Sequence, residues 1–389
     1  MFEHPSLRVV TVLLLAFVAT AVAPAHAAPA IGDDIATVSR LRGHDYKYPV
    51  TEKKITRAAL RHFLRKQLES GLGMPVDSFF ESLAALQLVE SSPESVDRLL
   101  DLYESQVLAF YDPRTGTYYN ITTPPPAAMT MSPLLEQGIA IHELTHALQD
   151  QRFNAGKTLE SLRSDWDAEM AYQAVLEGEA TLVMFAALYE KIGKSLEELI
   201  GSELFVAALA EVADSNDGIP AGVDSYFVES MKFPYVAGVA FVVEAFRRGG
   251  WEAIDAIHAS PPKTTAEISR PELYFSKDRH DPARPPFPSL ANPILTTTLG
   301  EFHWKYLVGE EGARDWKGDR VQVGGSGKRL SVRAVTEWAG QAAARRFAGA
   351  YGALLRSKGL SPDIRIEGDR VSVDYSVPRS STSKAARGK

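Results

Sequence analysis

Apolar positions recur at three- and four-residue intervals over most of the first two thirds of the chain, the spacing of helices that bury one face. TRAALRHFLRKQLESGLG (56–73), PVDSFFESLAALQL (75–88) and SPESVDRLLDLYESQV (92–107) are three such segments. The period changes at LAFYDPRTGTYYNI (108–121), where two β-rich runs flank the turn composition Asp112-Pro113-Arg114-Thr115-Gly116 and predict a hairpin. After a proline-rich stretch, Ser132 as N-cap and Pro133 at the first helical position open a helix expected to end near Phe153. Long helices are expected over 164–192 and 196–212, and 225–260 reads as at least two more, broken at Gly249-Gly250. Residues 31–49 read as irregular or partly extended, and 261–290 as mostly loop with one short helix.

From about residue 298 onward the texture shifts. DRVQVGG, RLSVRAVTEW and DIRIEGDRVSVDYSV alternate apolar and polar positions, and one amphipathic segment (339–357) stands among them, predicting a small sheet with a packed helix. The expected fold class is therefore α+β. A mainly helical domain over 28–298 carries a small hairpin or sheet on its N-terminal side. An α+β region over 299–377 and a polar, disordered tail over 378–389 follow.

Composition narrows the function classes. A net charge of −7 and a pI near 5.8 give no basic footprint for nucleic acid. The absence of cysteine excludes disulfides, thiolate metal ligands and thiol catalysis. At the N-terminus, VVTVLLLAFVATAVA is followed by Ala25-His26-Ala27, a small-x-small cleavage pattern. The apolar run is shorter than the about 20 residues that a spanning helix needs. Residues 1–27 are thus expected to be a signal peptide, and the mature protein to be secreted or periplasmic. No later segment reads as long and apolar enough to cross a membrane.

The chemistry concentrates in GIAIHELTHALQDQRF (138–153). His142 and His146 lie one helical turn apart on one face, so both imidazoles can reach one zinc ion. Glu143 is rotated by about 100° from His142; it does not ligate but can reach water at such an ion. Gly138, one turn earlier, suits close passage of another segment. The next long helix offers Glu169, Glu177 and Glu179. Glu177 shares a face with Trp166, Met170, Ala180 and Met184, and a carboxylate among such neighbours calls for a cation. Glu179 points to nearly the opposite side and is the second choice, while Glu169 sits on the margin of the Glu177 face. His44, His62, His258, His280 and His303 have no partner at ligand spacing and read as ordinary surface or loop residues, His258 and His303 partly buried.

HELTH followed on a later helix by EGEAT resembles the gluzincin zinc metallopeptidases, the class that holds thermolysin and the zinc aminopeptidases. In the aminopeptidase branch the third ligand is a Glu followed by Gly, as in Glu177-Gly178. FPYVAGVAFVVEAF (233–246) is similar to their Pro-Tyr-x-x-Gly segment, whose tyrosine stabilises the oxyanion and maps to Tyr235. The resemblance implies a zincin-like fold, one zinc ion on His142, His146 and Glu177, and hydrolysis of a peptide or protein substrate with Glu143 as general base. It also implies that the hairpin at 108–121 is a substrate-side edge strand. PPKTTAEISRPELY (261–274) looks like a segment of bacterial relatives with a His where Arg270 stands, making Arg270 a second oxyanion candidate. The chain departs from the pattern in three ways. The interval from His146 to Glu177 is longer, the Gly-x-Met-Glu-Asn exopeptidase motif is absent, and Thr181 stands where thermolysin has an Asp that orients a ligand histidine. The alternative expectation is a non-catalytic or single-partner zinc-binding protein on the same fold.

Overall fold

The computed structural model describes residues 31–379 except 91, 123–132, 203–204, 206–208, 210–213, 217 and 326. It opens with helix α1 (Ile31–Arg42), where an irregular segment was expected. Ile31, Ile35, Val38 and Leu41 form its inner stripe, and Asp33 and Asp34 at the start with Arg40 and Arg42 at the end complement the helix dipole. The density of charge in this short segment conceals the stripe, because one of the buried positions is Arg42 itself. Strand β1 (Thr51–Ile55), also not anticipated, leads to α2 (Arg57–Gly71), α3 (Val76–Ala85) and α4 (Ser95–Gln106). The hairpin forms as β2 (Ala109–Asp112) and β3 (Thr117–Ile121), with Gly116 taking the left-handed turn position at φ +61°. β1 adds to it in parallel, giving the order β1-β3-β2 with β2 at one edge.

The helical layer follows as α5 (Pro133–Phe153), α6 (Ala155–Leu162), α7 (Trp166–Lys191), α8 (Leu196–Ile200) and α9 (Ser225–Ala259). Ser132, the expected N-cap of α5, lies outside the described residues, as does the proline-rich stretch before it. α9 departs from helical geometry at Gly249 and Gly250, where the break was expected. Contrary to the sequence reading, α9 is long and apolar enough to cross a membrane, but 61% of its most apolar window is buried inside the protein. Its apolarity serves contact with α7 and neighbouring elements.

Two short helices, α10 (Thr265–Ser269) and α11 (Pro271–Tyr274), precede a five-stranded antiparallel sheet. That sheet takes in β4 (Pro293–Thr297), β5 (Trp316–Gly324), β6 (Arg329–Trp338), β7 (Asp363–Glu367) and β8 (Arg370–Pro378), in the order β4-β5-β6-β8-β7. α13 (Gln341–Ser357) packs on it through Phe347 and Tyr351, while α12 (Gly300–Ala313) joins the sheet to α7. α12 was not expected, because glycines at 300, 309 and 312 mask its period. Its start is fixed from a distance: Asp319 on β5 accepts from the N–H groups of Leu299 and Gly300 at 2.9 Å each and from the indole N–H of Trp304 at 3.1 Å. One apolar core runs without interruption from Leu60 and Phe80 on the early helices to Trp338 and Val373 on this sheet.

The contact that places the candidate site is the crossing of α7 over α9. A Cβ at Gly178 would stand 2.3 Å from the carbonyl oxygen of Gly238, and one at Gly238 would stand 2.0 Å from that of Ala174. The two backbones touch, and only glycine fits on either side. Gly238→Ala is therefore expected to force the helices apart and destabilise the protein by about 3 kcal/mol, as overpacking does in rigid interiors. Denaturant unfolding checks this; an unchanged midpoint contradicts the crossing.

Candidate metal centre

α5 is buried almost all round. Ile139, Ile141, Leu144, Ala147 and Leu148 are all packed away, so His142 and Glu143, each 0% exposed, lie inside and not on a solvated face. His142 Nε2 stands 3.2 Å from Glu177 Oε2 on α7, His146 Nε2 stands 3.1 Å from His142 Nε2, and His146 Nε2 is 3.4 Å from Glu177 Oε2. Three ligands at 2.0–2.1 Å from a tetrahedral zinc ion lie about 3.3 Å apart, so this triangle has the dimensions of one face of such a tetrahedron. Three basic atoms converging at these distances repel one another unless a proton or a cation lies among them. His142 Nδ1 is buried with no hydrogen-bond partner among the described residues. Of the three side chains His146 keeps the most exposure, 12%.

Electrostatics agree with the geometry. Burial pushes the His142 imidazole down to about 4, against the pull of Glu177. Burial also acts against a charged His146, but the Glu177 carboxylate outweighs it and raises His146 to about 9. Glu177 is held down to about 2 although burial opposes ionisation, because His146 and His142 face it. The site thus retains one buried carboxylate at neutral pH by keeping a positive charge against it, the condition a divalent ion would satisfy directly.

Glu143 lies off the ligand triangle, as its position in the motif requires. Its Oε2 accepts the N–H of Tyr111 at 2.9 Å, and its charge is near enough to His146 to raise that imidazole's pKa. β2 is an edge strand beside α5 and adjoins Glu143 through Tyr111. At Tyr111, however, its main-chain N–H is committed to Glu143. Tyr235, on α9 one turn before Gly238, stacks on His142 with ring centroids 6.2 Å apart. It also lines a cavity of about 570 Å³ bounded by α2, α4, α7, α9 and β4.

The remaining candidates have other partners. Glu179 faces away from the triangle, joined to Arg42 of α1 in a fully buried ion pair and to His258 Nε2 at 2.6 Å. Arg270 closes a fork on Glu301, a carboxylate shared with Lys305, and that ion pair is the role its guanidinium has here. Three histidines read as ordinary surface or loop residues are structural. His258 is buried, stacked on Phe153 at 4.1 Å and bonded to Glu179; His44 meets Asp255 at 2.6 Å; His303 is buried between Leu299 and Tyr226. Apart from Leu299, these partners lie on helices far away in sequence, which spacing along the chain does not register. Arg42 and Gln149 also went unnoticed. Gln149 had a signal, since it follows His146 by three residues and shares its helix face.

Glu169 lines the same cavity, two turns before Glu177. Burial pushes its carboxyl up to about 7, with Arg163 opposing the shift. The folded protein then holds more protons than the unfolded chain between the ordinary carboxyl range and about 7, so stability falls as pH rises through that window. Glu169→Gln removes this penalty. The variant is expected to melt higher than the parent at pH 8 and close to it at pH 4; thermal unfolding at both pH values reads the difference, and equal offsets at both contradict it.

Comparison with known proteins returns no match to any protein-family model, to any curated protein or to any solved structure.

Proposed function

We propose that the chain is a secreted zinc metallopeptidase that hydrolyses peptide bonds. The observation that carries this reading is the triangle of His142, His146 and Glu177, with edges of 3.1–3.4 Å, set beside the buried Glu143 carboxylate. His142, His146 and Glu177 would hold the ion. Zinc, when bound, acts as a Lewis acid that acidifies water and polarises a carbonyl.

The chain's own groups supply the rest. Glu143 takes a proton from the attacking water and returns it to the departing amine, with Oε2 steadied by the Tyr111 N–H. Tyr235, between His142 and the cavity, is the donor for the developing oxyanion. The cavity that Tyr235 lines would supply room for the substrate. A second reading, a metal-holding protein without turnover, draws on the hydrogen bond from Tyr111 to Glu143, which would equally fix a silent carboxylate.

Glu143→Gln separates the two. It is expected to keep one ion per chain by elemental analysis while cleavage of a peptide library falls by about 10²–10⁴-fold. Glu177→Ala is expected to lose the ion. Parent protein without metal, or with metal and no chelator-sensitive cleavage, ends the hydrolytic reading. For Tyr235→Phe the expected outcome is a fall in kcat of about 10²–10³-fold with KM little changed; normal turnover returns Tyr235 to a packing role.

A further inference from the structure

Gln149 joins the candidate centre to the buried charges around Glu179. Its side-chain amide makes three hydrogen bonds: Oε1 lies 2.8 Å from His146 Nδ1, and Nε2 donates to the backbone oxygen of Leu176 at 3.0 Å and to Glu179 Oε2 at 2.8 Å. The orientation of that amide is not arbitrary. A backbone carbonyl and an ionised carboxylate can only accept, so the NH₂ group must face them and the carbonyl must face His146. A carbonyl can only accept in turn, so His146 must carry a proton on Nδ1. The orientation of one amide therefore leaves Nε2 as the ring nitrogen available to a metal, the nitrogen that points into the triangle.

Three groups converge on the Glu179 carboxylate: the Arg42 guanidinium, His258 Nε2 and the Gln149 NH₂. Arg42 gives its Nε–H to Glu179 Oε1 and a terminal N–H to Asp255 at 2.6 Å, with its guanidinium 4.5 Å from the Trp251 ring. Its side chain is 0% exposed. On the far side, His258 Nε2 contacts Glu179 Oε2, and its Nδ1 lies 3.1 Å from the Tyr172 hydroxyl.

We infer that Gln149 is a positioning residue for the metal centre, and that Glu179, paired with Arg42 of α1, joins the Leu176 carbonyl in setting the amide orientation that fixes the His146 tautomer. The inference rests on the metal-centre reading above and adds to it a function for three residues that touch neither the ion nor a substrate. Glu179, two residues from the ligand Glu177 and on the other side of α7, then acts on the centre through α5. Partners of this kind set ligand orientation and basicity, and their removal typically lowers metal affinity by about 10–100-fold.

The test measures zinc dissociation constants of the full chain by competition with a chelator, beside denaturant unfolding of the metal-free proteins. Gln149→Met keeps the length of the side chain but accepts nothing useful from Nδ1–H, and is expected to weaken zinc binding by about 10–100-fold. Glu179→Gln leaves the Leu176 carbonyl as the one obligate acceptor for the Gln149 NH₂, so the amide orientation is enforced less strongly and a smaller loss is expected. A role in packing alone predicts unfolding free energies that fall in both variants with zinc affinity unchanged. Parent-like zinc affinity in Gln149→Met, or in Glu179→Gln, overturns the inference while leaving the centre standing. Absence of zinc binding in the parent protein overturns the centre itself.

Discussion

The contact on which the candidate site depends contains no side chains. Where α7 passes over α9, Gly178 meets the carbonyl of Gly238, and Gly238 meets the carbonyl of Ala174, closer than any Cβ would allow. This backbone contact fixes the position of Glu177, one residue before the crossing on α7, and of Tyr235, one turn before it on α9. α5 then packs against α7, with Gly138 receiving Leu188 and Met184, and brings two imidazoles to the carboxylate. The two short motifs containing these glycines are far apart in sequence. In the folded chain they are two sides of one contact, which is why both need glycine where they have it.

Around that crossing the protein buries more charge than a hydrophobic core tolerates without compensation. Glu177 and Glu179 are 2% and 1% exposed, two residues apart, and turned to different sides of the same helix. Glu177 meets two histidines in an arrangement that suits a divalent ion. Glu179 meets Arg42, His258 and Gln149 and is fully satisfied by protein groups. The difference between them is the identity of the neighbouring helix: α5 presents imidazoles to one carboxylate, whereas α1 presents a guanidinium to the other. Removing either partner set would leave an uncompensated buried carboxylate, a change that commonly costs about 3–5 kcal/mol.

What could be read along the chain was whatever local spacing encodes. The helices over 56–107, the hairpin at Asp112 to Gly116, the break at Gly249-Gly250 and the sheet with one packed helix near the C-terminus all follow from period and turn chemistry. The His142–His146 pair is legible for the same reason, since a separation of four residues on a helix is a distance in space. α1 was missed because a buried Arg42 interrupts its apolar stripe, and α12 because its first turn is capped by Asp319 from a strand that follows it. In both, the stabilising partner belongs to another element.

The sequence by itself determined that two imidazoles share a helix face, that Glu143 stands off that face, and that the next long helix carries acids on more than one side. Helical periodicity is a local property, and it placed Glu177 and Glu179 on different sides without saying what each would meet. Only the tertiary structure decided that. It brought Glu177 to within 3.2 Å of His142, gave Glu179 to Arg42, and set the Gln149 amide between the two systems. The physical reason is that the partner of a buried charge is chosen by which helices can approach closely enough to pack, and here glycines at a crossing set that approach.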